Sequence, residues 1–285
     1  MGRYTPTLLC LLILLQSFLT GSALAQERPI DGIEDNSFLI EEAYNQEDGV
    51  LQHIFNATYT NDRNHRGWVF SFTEEWPFFS ADHQVGFTIP AYHRREQGQR
   101  QNGIGDILLN YRYQLLQESE TVPAFAPRFS LILPTGSRNK GTGDEVVGYQ
   151  WNLPASKKVS SRVALHANLG LSYLPKVRTR LDLPGRPLSP KRSLISYNLG
   201  GSAIYAPTSR IHLMLEWVGM SEQSLDQLGN RERQFTSFLS PGVRAGLGNT
   251  DSVQSVLGLG LPVGLNRRSE NLGAFLYLSL EHKVF

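Results

Sequence analysis

The sequence predicts an all-β fold, an antiparallel up-and-down transmembrane β-barrel of about twelve strands. Three observations point there. Runs of about ten residues alternate apolar with polar side chains, a length suited to a tilted strand crossing a hydrocarbon layer. The connections between runs alternate between shorter and longer, and aromatic residues gather near the expected strand ends. A period of two sends alternate side chains to opposite faces, so each run has one apolar and one largely polar face.

The first element is not a strand. Residues 1–25 read as a cleaved secretory signal peptide, because an apolar run at 8–19 follows Arg3 and precedes the small-x-small site Ala23-Leu24-Ala25. That run is shorter than the roughly twenty residues a spanning helix needs. Hydrophobic residues make up an ordinary 40% of the 285-residue chain, and mean hydropathy is -0.26, which does not fit a helical membrane protein. The single cysteine, Cys10, lies inside the apolar run and not just after it, which argues against a lipoprotein. A mature chain starting at Gln26 would have no cysteine, hence no disulfide and no thiolate metal site. Cleavage also removes Arg3, so 27 Lys+Arg fall to 26 against 26 Asp+Glu. A nucleic-acid partner would normally leave a basic excess, so that class is set aside.

Residues 26–49 are acidic and polar around a small apolar island, Phe38-Leu39-Ile40, followed by Glu41-Glu42-Ala43-Tyr44. Placed in the barrel mouth this segment would act as a plug. Terminal segments are usually loosely held, so the expectation is a periplasmic arm. The pairs Glu41-Glu42 and Glu47-Asp48 with His53 lack an EF-hand spacing and read as a solvated acidic face, so no metal is expected.

Residues 50–285 are expected to form the barrel. Phe55, Ala57 and Tyr59 alternate with Ile54, Asn56 and Thr58; Trp68, Phe70 and Phe72 with Ser71 and Thr73; Val85, Phe87 and Ile89 with Gln84, Gly86 and Thr88. Ile107, Leu109, Tyr111 and Tyr113 alternate with Asn110 and Arg112, and Phe129 and Leu131 with Arg128 and Ser130. After a run from Val147 to Leu153, Leu165, Ala167, Leu169 and Leu171 alternate with His166, Asn168 and Ser172. Tyr197 and Leu199 alternate with Ser196 and Asn198, and Leu213, Leu215 and Trp217 with His212 and Glu216. Three further runs lie near 235–245, 253–261 and 272–285. In the last, Ala274, Leu276, Leu278 and Leu280 form the better apolar face, whereas Lys283 and Glu281 share the face of Phe285; either a bulge switches faces between them or the final turn lies at the periplasmic rim.

Residues 206–209 form a tight turn, whereas 175–192 and 220–234 read as long polar loops. Short periplasmic turns opposite longer outer loops place both chain ends in the periplasm. Pro90, Pro134, Pro175 and Pro262, spaced by 44, 41 and 87 residues, would each close an upward strand, where proline does least harm to the ladder. Trp68, Tyr173 and Trp217 are expected at outer strand ends, and Trp76, Tyr113, Trp151 and Tyr205 at inner ones, as two interfacial girdles.

Gly103-x-Gly105-Asp106, the alternating strand ending in Tyr111-Arg112-Tyr113, and Leu133-Pro134-Thr135-Gly136 before a Gly-rich loop carry a resemblance. Over residues 103–175 the chain resembles the outer-membrane proteins grouped as the MetA-pathway of phenol degradation family. The resemblance implies an outer-membrane channel or transporter for small organic compounds, aromatic or hydrophobic ones among them.

Function is sought on the inward set: Asn110, Arg112, Arg128, Ser130, His166, Asn168, Ser172, Ser196, Asn198, His212 and Glu216. In lipid these groups would have neither water nor partner, so they must face a lumen or each other. They would line a polar pore, with Arg112 and Arg128 as a cationic stripe, or fill a plugged lumen with arginine paired to Glu216 or other carboxylates. The rival classes are a barrel lipid hydrolase and a closed structural barrel without transport. A hydrolase needs serine and histidine in hydrogen-bond reach. His166 and Ser172 are about six positions, roughly 20 Å, apart on one strand, and His166 with Ser196 would be luminal. A non-enzymatic barrel without a cofactor is therefore expected. Its partners would be outer-membrane lipids and lipopolysaccharide, the barrel assembly machinery and small organic solutes.

Overall fold

The computed structural model describes residues 37–61, 65–96, 98–179, 190–226, 228–250, 253–269 and 273–284. The expected signal peptide at 1–25, its expected cleavage site near Ala25 and Phe285 lie outside the described residues. The chain closes into an antiparallel barrel of twelve strands. These are β1 (Val50–Asn61), β2 (His65–Phe78), β3 (Ser80–Glu96), β4 in two pieces (Gln99–Ile104 and Ile107–Tyr113) and β5 in two pieces (Ala124–Phe125 and Arg128–Leu133). They continue as β6 (Gly148–Ser160), β7 (Val163–Val177), β8 (Arg192–Tyr205), β9 (Ile211–Leu225), β10 (Arg231–Thr250), β11 in two pieces (Val253–Gly260 and Val263–Gly264) and β12 (Gly273–Lys283).

Each strand pairs with its chain neighbours, and β1 closes the ring on β12 from Val50 opposite Lys283 to Thr60 opposite Gly273. That register is unbroken up to Lys283, so of the two alternatives the bulge is not found within the described part of β12: the ladder fixes Leu276 outward and Phe275, Tyr277 and Ser279 inward. Elsewhere the faces divide as alternation dictates. Leu109, Tyr111, Phe129, Leu165, Leu169, Leu199 and Leu213 are exposed on the outer wall, while Arg112, Ser130, His166, Asn168 and His212 are buried inside. This is the apolar-out, polar-in pattern of a membrane barrel.

Three local expectations change. The presumed long loop at 220–234 shrinks to a turn at 226–230, because the β9–β10 ladder runs on to Leu225 opposite Arg231. Asp226 closes that turn by accepting hydrogen bonds from the Leu228 and Asn230 amides, both at 2.8 Å. Pro90 lies within β3, opposite the break in β4, where its carbonyl accepts from Gly105 N at 2.8 Å. Its nitrogen faces the same break, so the missing N–H interrupts no ladder bond. Trp217 is mid-strand in β9 and Trp151 sits opposite Leu171 in the loop-side half of β7, since these strands are longer than the alternation alone shows.

The two halves of the sequence motif meet at the loop end of the barrel. Asp106 accepts from Gly136 N at 2.8 Å and from Asp144 N at 3.0 Å. Thr135 Oγ1 donates to Gly105 O at 2.8 Å and accepts from Ile107 N at 2.9 Å. The motif therefore pins the 134–147 loop onto β4. Burial there, reinforced by the charge of Asp106, pushes the Asp144 carboxyl up to about 6.

Candidate functional site: the lumen and its occupant

The inner wall needs partners for its polar groups, and the chain's own N-terminal segment supplies them. Residues 37–46 run through the barrel interior, with Phe38, Ile40, Glu42 and Ala43 buried. The expectation of a loosely held periplasmic arm for 26–49 does not describe this part of it. Five wall side chains accept its backbone amides. Glu216 Oε1 takes Phe38 N at 3.0 Å, Leu39 N at 2.8 Å and Ile40 N at 3.2 Å. Asn168 Oδ1 takes Glu41 N at 2.8 Å while its Nδ2 donates to Glu41 O at 2.6 Å. Ser156 Oγ takes Ala43 N at 2.7 Å, Gln114 takes Asn45 N at 3.2 Å and Gln84 takes Gln46 N at 2.8 Å. The segment, bent at 38–40 and at 43, belongs to no helix or strand, so wall side chains replace the ladder it lacks.

The two arginines expected as a cationic stripe are the charged clamps of this segment. Arg128 Nε donates to both oxygens of Glu41 at 2.9 Å, and Asn152 Nδ2 adds a bond at 2.5 Å. Arg112, 2% exposed, donates to Asn45 Oδ1 at 2.9 Å, Tyr44 O at 2.6 Å, Glu42 O at 3.2 Å and Gln84 Oε1 at 3.1 Å. Burial raises the Glu41 carboxyl, but Arg128, Arg112 and the hydrogen bonds outweigh it and hold it below the ordinary range. Glu42 goes the other way: burial pushes it up to about 8 against the pull of Arg112, 3.5 Å away. The carboxylate partner of the arginines is thus Glu41 from the arm, not Glu216 from the wall.

The remaining predicted residues all face inward. Asn110 and Ser130 hydrogen-bond each other at 2.7 Å beside Arg128. Ser172 accepts from Gln150 at 3.1 Å, and Ser196 accepts Gln223 N at 3.2 Å towards the loop end. The Asn198 side chain lies over Gly170. His212 Nδ1 meets Arg244 Nη2 at 2.8 Å. His166 is joined to neither Ser172 nor Ser196; its Nδ1 lies 2.7 Å from Ser156 Oγ. That serine is buried under Ala43, away from the lipid face where a lipid hydrolase would act. Gln84, Gln114, Asn152 and Ser156 were not singled out from the sequence, yet they hold the arm as firmly as the residues that were.

Beyond the polar clamps, Phe38 sits in an apolar cluster with Ile54, Ile204, Met214, Val256, Phe275 and Tyr277. Its ring centroid is 5.3 Å from Phe275 and 5.5 Å from Tyr277. Gly242, Gly258 and Gly260 line the other side, and a methyl on any of them would crowd the ring.

A family model described as "Putative MetA-pathway of phenol degradation" matches residues 49–278. The chain is similar in structure to the COG4313 outer membrane channel from Pseudomonas putida F1, with a TM-score of 0.62 at 12% identity over 84% of this chain and 97% of that one. It is also similar to the NanC porin, with a TM-score of 0.50 at 10% identity over 81% of this chain and 99% of that one. At these identities the likeness is one of fold. No curated protein matches the sequence.

Proposed function

The chain belongs to the MetA-pathway of phenol degradation family, and from that membership and its closed barrel we propose an outer-membrane channel for small organic solutes, shut in this state by residues 37–46. The observation that carries the reading is where the polar wall sends its hydrogen bonds. Glu216, Asn168, Ser156, Gln114 and Gln84 bind the backbone of a terminal segment, which can leave without breaking a single barrel ladder. Withdrawal would expose a lumen lined by Asn110, Arg112, Arg128, Ser130, His166, Asn168, His212 and Glu216, with Ser196 and Asn198 nearer the loop end. Aromatic or hydrophobic solutes are the proposed cargo, as the family description and the apolar cluster around Phe38 both favour.

The proposed setting is the outer membrane after cleavage near Ala25, with the 114–123, 161–162 and 206–210 turns in the periplasm. Phospholipid and lipopolysaccharide would surround the apolar belt, and the barrel assembly machinery would insert it. The many hydrogen bonds that hold the arm favour a second reading, a permanently closed structural barrel. One experiment separates them. Ser37 Oγ donates to Ser202 Oγ at 2.9 Å, close enough for Cys replacements to be bridged. A Ser37→Cys/Ser202→Cys protein should conduct in planar bilayers when reduced and fall silent when oxidised. Silence in both states, in this variant and in the wild type, would leave the structural barrel.

A further inference from the structure

Resting on the channel reading above, we propose that the socket filled by Phe38 is a binding site for a flat aromatic ring bearing a hydroxyl group, and that Phe38 occupies it as a stand-in for that solute. The socket is shaped for a ring. Gly242 and Gly260 are directly paired across β10 and β11, Gly258 lies two residues on, and all three leave space that the Phe38 ring takes up. Phe275 and Tyr277 give it aromatic walls, at separations typical of favourable ring pairs. An interior position on a barrel wall has no need of three neighbouring glycines unless something approaches the backbone closely.

The occupant leaves part of the site unused. Glu216 and Ser240 stand directly opposite one another on β9 and β10. Glu216 Oε2 and Ser240 Oγ are both buried and have no hydrogen-bond partner among the described residues. Both Ser240 Oγ and the Phe38 ring lie within 3.2 Å of the point a methyl on Gly260 would occupy, so the orphaned hydroxyl borders the ring. Buried polar groups are rarely left unsatisfied. A phenylalanine ring offers them nothing. A ring hydroxyl would donate to the Glu216 oxygen and accept from Ser240, filling the socket and completing the polar edge together. The solute class is therefore a phenol-like compound, recognised by an apolar ring face and one hydroxyl.

The test uses the purified full-length protein in detergent micelles, with 4-fluorophenol as the probe and fluorobenzene as the ring without a hydroxyl, both followed by fluorine NMR. Phe38→Ala empties the socket, and Phe38→Ala/Gly258→Leu refills it. The single variant should bind 4-fluorophenol at least tenfold more tightly than the wild type, and at least tenfold more tightly than it binds fluorobenzene. The double variant should return to the wild-type value. Equal binding by Phe38→Ala and wild type, or equal binding of the two probes, would overturn the site and leave Phe38 as packing for the plug. Heat-modifiable migration checks that the variants fold. If they do not, the wild type decides: saturating 4-fluorophenol should speed amide exchange at Phe38, Leu39 and Ile40, and unchanged exchange would overturn the proposal. Conductance on release of the Ser37–Ser202 lock without any hydroxyl preference would keep the channel and remove the site. Ring binding without conductance would keep the site and remove the channel.

Discussion

Glu216→Ala is the sharpest perturbation of the arm, because one oxygen of that side chain accepts three consecutive amides, Phe38, Leu39 and Ile40. Each such hydrogen bond contributes a net of about 1 kcal/mol, so the latch is weakened by about 3 kcal/mol. At 1.4 kcal/mol per factor of ten, the released fraction should rise about a hundredfold. Glu216→Gln keeps an acceptor oxygen and the side-chain shape, so it should stay within about tenfold of wild type by the same arithmetic. Hydrogen–deuterium exchange with mass spectrometry, on a peptide spanning 37–46, reads this directly. The three amides should exchange faster in Glu216→Ala while amides in β1 keep their protection. Unchanged exchange at Phe38, Leu39 and Ile40 would refute the latch. Equal acceleration throughout β9 and β10 would show that Glu216 braces the barrel and not the arm.

Arginine at Leu169, 52% exposed on the outer wall, should destabilise the barrel by about 2–4 kcal/mol if it lies near the bilayer midplane. Arginine at Asn168 should instead expel Glu41 and free the arm with little effect on barrel melting; equal losses in heat-modifiable migration would mean the faces are not divided as described. A cysteine at Leu228 should react with an impermeant thiol reagent on intact cells while one at Thr208 should not, and the opposite pattern would invert the topology. Asp144 titrates near 6 when folded, against an ordinary 3.8, because burial and Asp106 disfavour its charge. The unfolded loop therefore loses its proton first, and stability contributed by the neutral acid, roughly 3 kcal/mol, should fade as pH rises from about 4 through 6. Exchange in the 134–147 loop, corrected for its intrinsic pH dependence, should accelerate over that window and lose the trend in Asp144→Asn; a flat profile in the wild type would refute it.

The barrel was legible because lipid enforces the alternation. At Leu169 beside Asn168, or Leu213 beside His212, a single-residue slip would put a polar group into hydrocarbon, so the pattern is strict and the faces read correctly. Where strands rise beyond the lipid that constraint ends, and Ser221, Glu222 and Gln223 look like loop although they pair with Phe235, Gln234 and Arg233. The arm was harder still. Phe38-Leu39-Ile40 is too short to announce a core, and an end segment normally hangs free. In the folded wall two features call for an occupant: glycines at inward positions 242, 258 and 260, and more amide and carboxyl acceptors than its own cross-strand pairs use. Neither says which part of the chain will answer it. The Ser156–His166 contact was missed because pairing across β6 and β7 depends on register, which turns at the far end of the hairpin set.

The contacts of residues 37–46 also carry an order in time. Gln46 meets Gln84 on β3, Asn45 meets Gln114 just past β4, Ala43 meets Ser156 on β6, Glu41 meets Asn168 on β7 and Phe38 meets Glu216 on β9, at chain separations of 38, 69, 113, 127 and 178 residues. Glu42, held by Arg112 on β4, and Ser37, on β8 Ser202, step back from this order. The segment is made before any strand it binds, and along those five contacts each residue meets a later strand than the contact before it. Long-range contacts form only once the intervening chain is in place. Where strands join the barrel in chain order, these contacts close from residue 46 towards 37, like a zip, and the seat of Phe38 is finished only once β10 to β12 are in place.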